Sequence, residues 1–339
     1  MKRQIIKLVV VVLVLCVSIT FGLSNSVFAY SEKNPMVLKI ASDTPPEEIE
    51  SRTVTRLGNL VQERTKGRIT FQYFYSGSLI KKPQFADGVA KGIANISIGP
   101  SAFLSGKIPD LSIFEVFGSY DLAKYRAVEK AVAPILTELM EKEGVHHVMS
   151  FMPGPALFVN KTKYLKGPGD WKGQKMRLPG RWQSTLGKEW GASPVFLPPS
   201  ELYLALQRGV IDGFMLPWHL VHAGKLYEVA PYIAHTDFSN LIGLVTMTLK
   251  KWNELTQEDR KIFNQVSEEV AEWCLPEILK SQEKERAEII SKGGKVYDLT
   301  PAEKSSYLDD CYALWPEVRK ASGPIGNKFA DILEDYRDR

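Results

Sequence analysis

The chain has 339 residues, with 43 Lys and Arg against 39 Asp and Glu. So even a balance excludes binding driven by a basic surface, and no nucleic-acid partner is expected. Apolar residues at 44% and charged residues at 24% exclude a disordered, collagen-like or disulfide-scaffold chain.

Lys2, Arg3 and Lys7 precede an apolar stretch from Leu8 to Leu23. A polar break (Ser24, Asn25, Ser26) and then Val27-Phe28-Ala29 follow, with small residues suited to signal peptidase. The stretch falls short of the roughly 20 apolar residues that cross a bilayer as a helix. Residues 1–29 therefore read as a cleaved secretory signal, with Tyr30 as the mature start and the periplasm as the destination. Leu15 before Cys16 argues against lipid attachment. The remaining 310 residues suit two domains rather than one core. Cys274 and Cys311 are left in an oxidising compartment, where they read as buried or paired structural cysteines.

In chain order, Val37–Ala41 reads as a strand, Glu47–Thr65 as an amphipathic helix ending at Gly67, and Ile69–Phe74 as an alternating strand. Phe85 to Phe103 (FADGVAKGIANISIGPSAF) then superposes on Leu202 to Leu220 (LYLALQRGVIDGFMLPWHL) at a constant offset of 117 residues. Gly92 falls on Gly209, Asn95 on Asp212 and Pro100 on Pro217. Each copy reads as a short helix, a glycine cap and a buried strand stopped by proline, the mark of an internal repeat. Asn95 and Asp212, equivalent in the two copies, suggest a shared structural duty such as bonding loop backbone.

Upstream of the second copy, Gln174–Leu178, Arg181–Trp190 and Pro194–Leu197 read as strand, helix and strand. Both halves are thus βαβαβ units, which imply two α/β domains around a cleft. His146–Phe151 and Ala156–Asn160 read as strands leading from the first domain to the second, and Leu241–Leu249 as a strand returning the chain. A helical pattern follows from Thr256 to about Lys292, with Pro276 predicting a kink. The expected division is 30–154 with 242–278 in the first domain, and 155–241 with 279–339 in the second.

GxSxG, GxxxxGK[ST], GxGxxG and HExxH motifs are all absent, so neither an enzyme nor a bound cofactor is indicated. His219 and His222 could share a helical face, but no carboxylate stands in register with them and no metal is expected. Pairs such as Asp309 with Asp310 read as solvated faces. Arg177 differs, because it lies near the carboxyl end of a buried strand, where open α/β sheets present groups to a crevice. Its guanidinium keeps its charge and needs an anion, which is either a protein carboxylate or a ligand carboxylate.

Several segments together resemble the DctP-type substrate-binding proteins of TRAP (tripartite ATP-independent periplasmic) transporters. They are Gly77-Ser78-Leu79 with the helix-Gly-strand of 84–100, Ala102 to Pro109 (AFLSGKIP), Trp171 to Arg177 as a DLKGxKxR motif, and Pro199 to Pro217 as an SExYxALQxGxxDG segment. The resemblance covers nearly all of the mature chain. It implies a periplasmic-binding-protein type II-like fold with a long hinge helix, closing around an organic acid and delivering it to the small and large membrane subunits. It also implies a protein that is no enzyme and acts as a monomer. Two alternatives use the same site: a ligand sensor for a membrane receptor, or a secreted α/β enzyme with Arg177 as substrate anchor.

The resemblance places the carboxylate-binding arginine on Arg177. Where relatives commonly read DGxENP, this chain has Asp212-Gly213-Phe214-Met215-Leu216-Pro217, so a ligand-facing Asn is replaced by Leu216. A second arginine that some relatives carry near Ala156 is also absent. An unpaired ligand hydroxyl would cost about 1 to 3 kcal/mol, so the expected ligand is a monocarboxylate with an apolar or aromatic body. Its candidate contacts are Arg177, Met215, Leu216, Trp218 and Phe238, with Ser101 and Asn240 completing the set. Of Phe214 and Met215, which alternate along a strand, at most one should face the cleft.

Overall fold

The structure, a computed structural model, describes residues 30–239 and 241–337. The expected signal segment and Asn240 lie outside the described residues. Among the described residues, no helix is long and apolar enough to cross a membrane.

Two mixed sheets organise the chain. The first takes β1 (Met36–Ala41), β2 (Ile69–Phe74), β3 (Ile96–Pro100) and β4 (Val145–Phe151). The second takes β5 (Leu157–Asn160), β6 (Lys175–Arg177), β7 (Ser193–Val195), β8 (Gly213–Leu216) and β9 (Tyr232–His235). β10 (Gly243–Thr248) returns to the first sheet, and β11 (Lys295–Asp298) closes the edge of the second. Their spatial orders are β2-β1-β3-β10-β4 and β11-β9-β5-β8-β6-β7. β1 pairs in parallel with β2 and β3, and β6 with β7 and β8, whereas β10 and β5 run antiparallel to their neighbours. The chain therefore crosses between lobes at 152–156 and is back in the first sheet at β10.

The repeat is visible at the level of single bonds. Gly92 and Gly209 take φ of 75° and 68°, the left-handed conformation that a helix stop needs and that glycine adopts without strain. Asn95 N–H donates to the Lys39 carbonyl, and Lys39 N–H donates to the Asn95 side chain, both at 2.8 Å. Asp212 repeats this reciprocal pair with Lys175, again at 2.8 Å in both directions. These two residues thus stitch the entry of β3 to β1 and the entry of β8 to β6, the backbone duty that their equivalence suggested. Gly213 cannot carry a side chain, since a Cβ there would stand 2.4 Å from the Val159 carbonyl oxygen and 2.8 Å from the Met176 sulfur.

The helix Gln257–Ser291 runs through Pro276 and is capped by Thr256, whose hydroxyl accepts from Asp259 N–H at 3.0 Å. It packs against the helix Ile49–Arg64 and β4 of the first lobe, and against the helix Trp218–Ala223 and β11 of the second. One apolar core runs from Leu38, Ile40 and Val245 of the first lobe to Phe158, Trp171, Trp182 and Trp190 of the second. A smaller core, with Phe214, Leu202 and Ile233, lies on the other face of the second sheet. Cys274 and Cys311 are both buried free thiols. Burial raises the Cys274 thiol to about 12 and pushes Cys311 up as well, so both are inert structural residues.

Candidate functional site

The carboxyl ends of β3, β6 and β8 meet at a cavity between the lobes, the place where open α/β sheets present groups. Its volume is about 40 Å³, and it is lined by Glu50, Lys82, Pro100, Ala102, Phe103, Pro153, Arg177, Pro179, Pro199, Met215, Leu216, Pro217, His219, Leu220 and Leu241. The 117-residue repeat builds much of this wall. Pro100, Ala102 and Phe103 from the first copy face Pro217, His219 and Leu220 from the second, each in the equivalent position, and Lys82 has its counterpart in Pro199. Strand alternation sends Met215 to the cavity and Phe214 into the smaller core.

Arg177 is 2% exposed. Its Nε–H donates to the Leu197 carbonyl at 2.8 Å and Nη1 to the Met215 carbonyl at 3.2 Å. Among the described residues, no carboxylate lies within 4.0 Å of it, in contrast to the ion pairs of Arg126, Arg286 and Arg319. Burial lowers its pKa from 12.5 to about 10, so it stays cationic at neutral pH while lacking a counter-ion among the protein's own described groups.

On the opposite wall, Lys82 and Glu50 form a buried pair. Nζ lies 2.9 Å from Oε2 and 3.2 Å from Oε1. Burial alone would raise the Glu50 carboxyl, but the Lys82 ammonium, the largest lowering influence, holds the group down at about 2. His219, 4% exposed, comes from the second lobe. Its Nε2 has no hydrogen-bond partner among the described residues and stands 3.8 Å from Glu50 Oε1, beyond hydrogen-bond reach.

The remaining candidates lie elsewhere. Trp218 does not line this cavity. Successive residues of a helix point about 100° apart, so with His219 turned to the cleft Trp218 turns away. It rests against His235 and Arg286, with ring centroids 5.5 Å apart and the guanidinium 5.7 Å from the indole. There it borders a separate, broader cavity of about 640 Å³ along the long helix. Phe238 packs edge-on to Phe158 and Tyr307, at 6.3 and 6.1 Å, inside the continuous core. Ser101 is buried and tied to the Ile242 main chain, donating its N–H to the Ile242 carbonyl at 2.8 Å. His222 bonds Glu288 at 2.7 Å and so parts company with His219. Among the described residues, no group of three or more His, Cys, Asp or Glu could hold a metal ion. Glu50 and Lys82 were not among the candidates, and His219 was considered only as a metal ligand.

The family model of bacterial extracellular solute-binding proteins, family 7 (DctP), matches residues 40–321. The chain belongs to this family. DctP proteins are the solute-binding components of TRAP transporters and not enzymes. A solute-binding protein of Albidiferax ferrireducens is 26% identical over 298 residues, covering 84% of this chain and 87% of its own length. The 2,3-diketo-L-gulonate-binding periplasmic protein of Escherichia coli K12 is 23% identical, with coverages of 94% and 97%. In fold, a TRAP periplasmic solute-binding protein from Desulfovibrio salexigens, solved with bound orotic acid, superposes with a TM-score of 0.83 at 24% identity, covering 88% of this chain and 98% of that one. The DctP protein described here thus has the two-domain α/β architecture of the TRAP substrate-binding proteins.

Proposed function

We propose that this DctP protein is exported through residues 1–29, captures a small monocarboxylate in the periplasm and presents it to TRAP membrane subunits. The observation that carries the ligand class is the state of Arg177: buried, cationic, held in place by two carbonyls and facing the cleft without a carboxylate of its own among the described residues. Setting His219 aside, the cavity wall holds two cations, Arg177 and Lys82, and one anion, Glu50, and Lys82 is already neutralised by Glu50. One negative charge on the ligand balances what remains. Most of the lining is apolar, so the body of the acid rests against Met215, Leu216, Phe103 and Leu220. Relatives solved with orotic acid and with succinate make an acid the natural ligand class.

A cavity of about 40 Å³ holds only a few water-sized atoms, so an organic acid enters by opening of the cleft. The crossing at 152–156 and the long helix around Pro276 are the elements that bend. Closure is then driven by the ligand's better fit to the closed state.

Mass spectrometry of small molecules released on denaturing the purified protein tests this reading. A monocarboxylate that raises the unfolding temperature of wild type but not of Arg177→Met is the expected result. Release of a neutral or cationic compound that stabilises both proteins equally would overturn it.

A further inference from the structure

The monocarboxylate reading leaves the wall opposite Arg177 without a role. The repeat offers a way to read it. At Pro100 and Pro217 the two copies agree, and at Phe103 and Leu220 both are apolar, but at two equivalent pairs they differ in kind: Lys82 stands against Pro199, and His219 against Ala102. Both polar members face Glu50, which comes from the first turn of the helix Ile49–Arg64. The polar departures from an otherwise apolar, pseudo-symmetric frame therefore converge on one spot.

That spot is charged but chemically incomplete. Glu50 and Lys82 are 1% and 3% exposed and cancel each other's charge. His219 Nε2 is desolvated, has no hydrogen-bond partner among the described residues and stops 3.8 Å short of Glu50 Oε1. A buried polar atom in this state carries its desolvation cost with no return until a partner arrives. Two atoms 3.8 Å apart can both reach a single oxygen lying about 2.8 Å from each. A carboxylate cannot be that partner, because ionised Glu50 would repel it and the charge of Lys82 is already taken. A hydroxyl can, since one O–H both donates and accepts. It would donate to Glu50, which only accepts, and accept from His219 Nε2–H.

We infer that Glu50 and His219 form a second recognition point in the cleft, selecting a hydroxyl on the body of the acid, with Lys82 as the positioning residue that keeps Glu50 ionised. The ligand class narrows from monocarboxylates to hydroxy-monocarboxylates. Because Glu50 and His219 belong to different lobes, the same hydroxyl also bridges the cleft. This inference rests on the carboxylate reading of Arg177, and the two fail in different ways.

The test is calorimetric titration of the full mature chain with matched acids: propionate against lactate, butyrate against 3-hydroxybutyrate, and phenylacetate against mandelate, with succinate as the dicarboxylate. Wild type is expected to prefer the hydroxylated member of at least one pair by about tenfold or more and to bind succinate more weakly than that member. His219→Leu should bring that preference to within about threefold, and His219→Gln should retain part of it. An unchanged preference in His219→Leu, or tighter binding of plain acids or succinate by wild type, overturns the hydroxyl assignment and leaves Arg177 untouched. Undiminished binding of the acids by Arg177→Met overturns the carboxylate reading instead. If no acid of the panel binds wild type, both readings fall.

Discussion

Replacing Arg177 by Met separates a ligand anchor from a structural arginine, because the two roles predict opposite effects on the empty protein. Burial drops the guanidinium from 12.5 to about 10, and at 1.36 kcal/mol per pH unit this corresponds to roughly 3 kcal/mol of unfavourable charge burial. The variant removes that cost. It also withdraws donors from the carbonyls of Leu197 and Met215, at about 1 kcal/mol each. The net change for the ligand-free protein is within about 2 kcal/mol of zero, on the side of added stability. An arginine paired with a buried protein carboxylate would instead cost about 3 to 5 kcal/mol on truncation. With ligand the picture reverses, because two charge-assisted hydrogen bonds at about 1.5 to 3 kcal/mol each amount to roughly a hundredfold to ten-thousandfold in affinity. Urea denaturation of the stripped protein and calorimetry with the released acid read the two quantities separately. A ligand-free variant destabilised by more than about 3 kcal/mol, or one that binds the acid as wild type does, would refute the reasoning.

Further perturbations follow from the same geometry. Lys82→Met leaves Glu50 buried without its counter-ion and should cost about 3 to 5 kcal/mol in urea denaturation, most of it regained in the double variant Glu50→Gln/Lys82→Met. His147 is held neutral by burial and by neighbouring His146, with its pKa lowered to about 3. The unfolded chain takes up that proton below about pH 6.5, so stability falls as pH drops from about 6.5 toward 3. Glu50, held at about 2, adds its own loss only below about pH 4.5. His147→Gln should therefore flatten the acid-stability curve between about pH 6.5 and 3 and leave its slope below about pH 3 unchanged. Gly213→Ala pushes a methyl against the Val159 carbonyl and should lower stability by about 2 kcal/mol or more.

Local signals in the sequence carried the frame well. The strand Ile69–Phe74 sits where periodicity put it, the strand expected at His146–Phe151 starts one residue earlier at Val145, and the long helix begins just after Thr256, where its pattern starts. The matched pairs Gly92 with Gly209 and Asn95 with Asp212 were readable because a helix stop and a backbone stitch need particular residues at particular spacings. Arg177 stood out because a permanent cation at the end of a buried strand is costly to keep. Glu50, Lys82 and His219 stayed hidden for the complementary reason. Glu50 looks like an ordinary first-turn helix acid and Lys82 like part of a surface Lys-Lys run, and their partners lie far along the chain, so no local period reports them. His219 was weighed only with His222, as a metal pair, yet His222 bonds Glu288. One signal was present: the 117-residue offset puts His219 on Ala102, two residues past the proline that stops the strand of each copy. Trp218 and Phe238 were expected at the cleft because they are large and near it in sequence, but a turn of helix and the pull of the core decide where they point.

The duplicated unit explains why the chemistry sits where it does. Two copies of helix, cap, strand and proline bring two equivalent strand ends to the same crevice, and where the copies carry similar residues the crevice is a generic apolar slot. Recognition needs that equivalence to be broken. Lys82 and His219 break it, and Arg177 adds a charge from the neighbouring strand. Arg177 and His219 belong to the second lobe, Glu50 and Lys82 to the first. A ligand that engages only Arg177 gains as much from an open cleft as from a closed one and shifts no population. One that also reaches Glu50 is bound better when the lobes come together, and only that difference in affinity converts capture into closure.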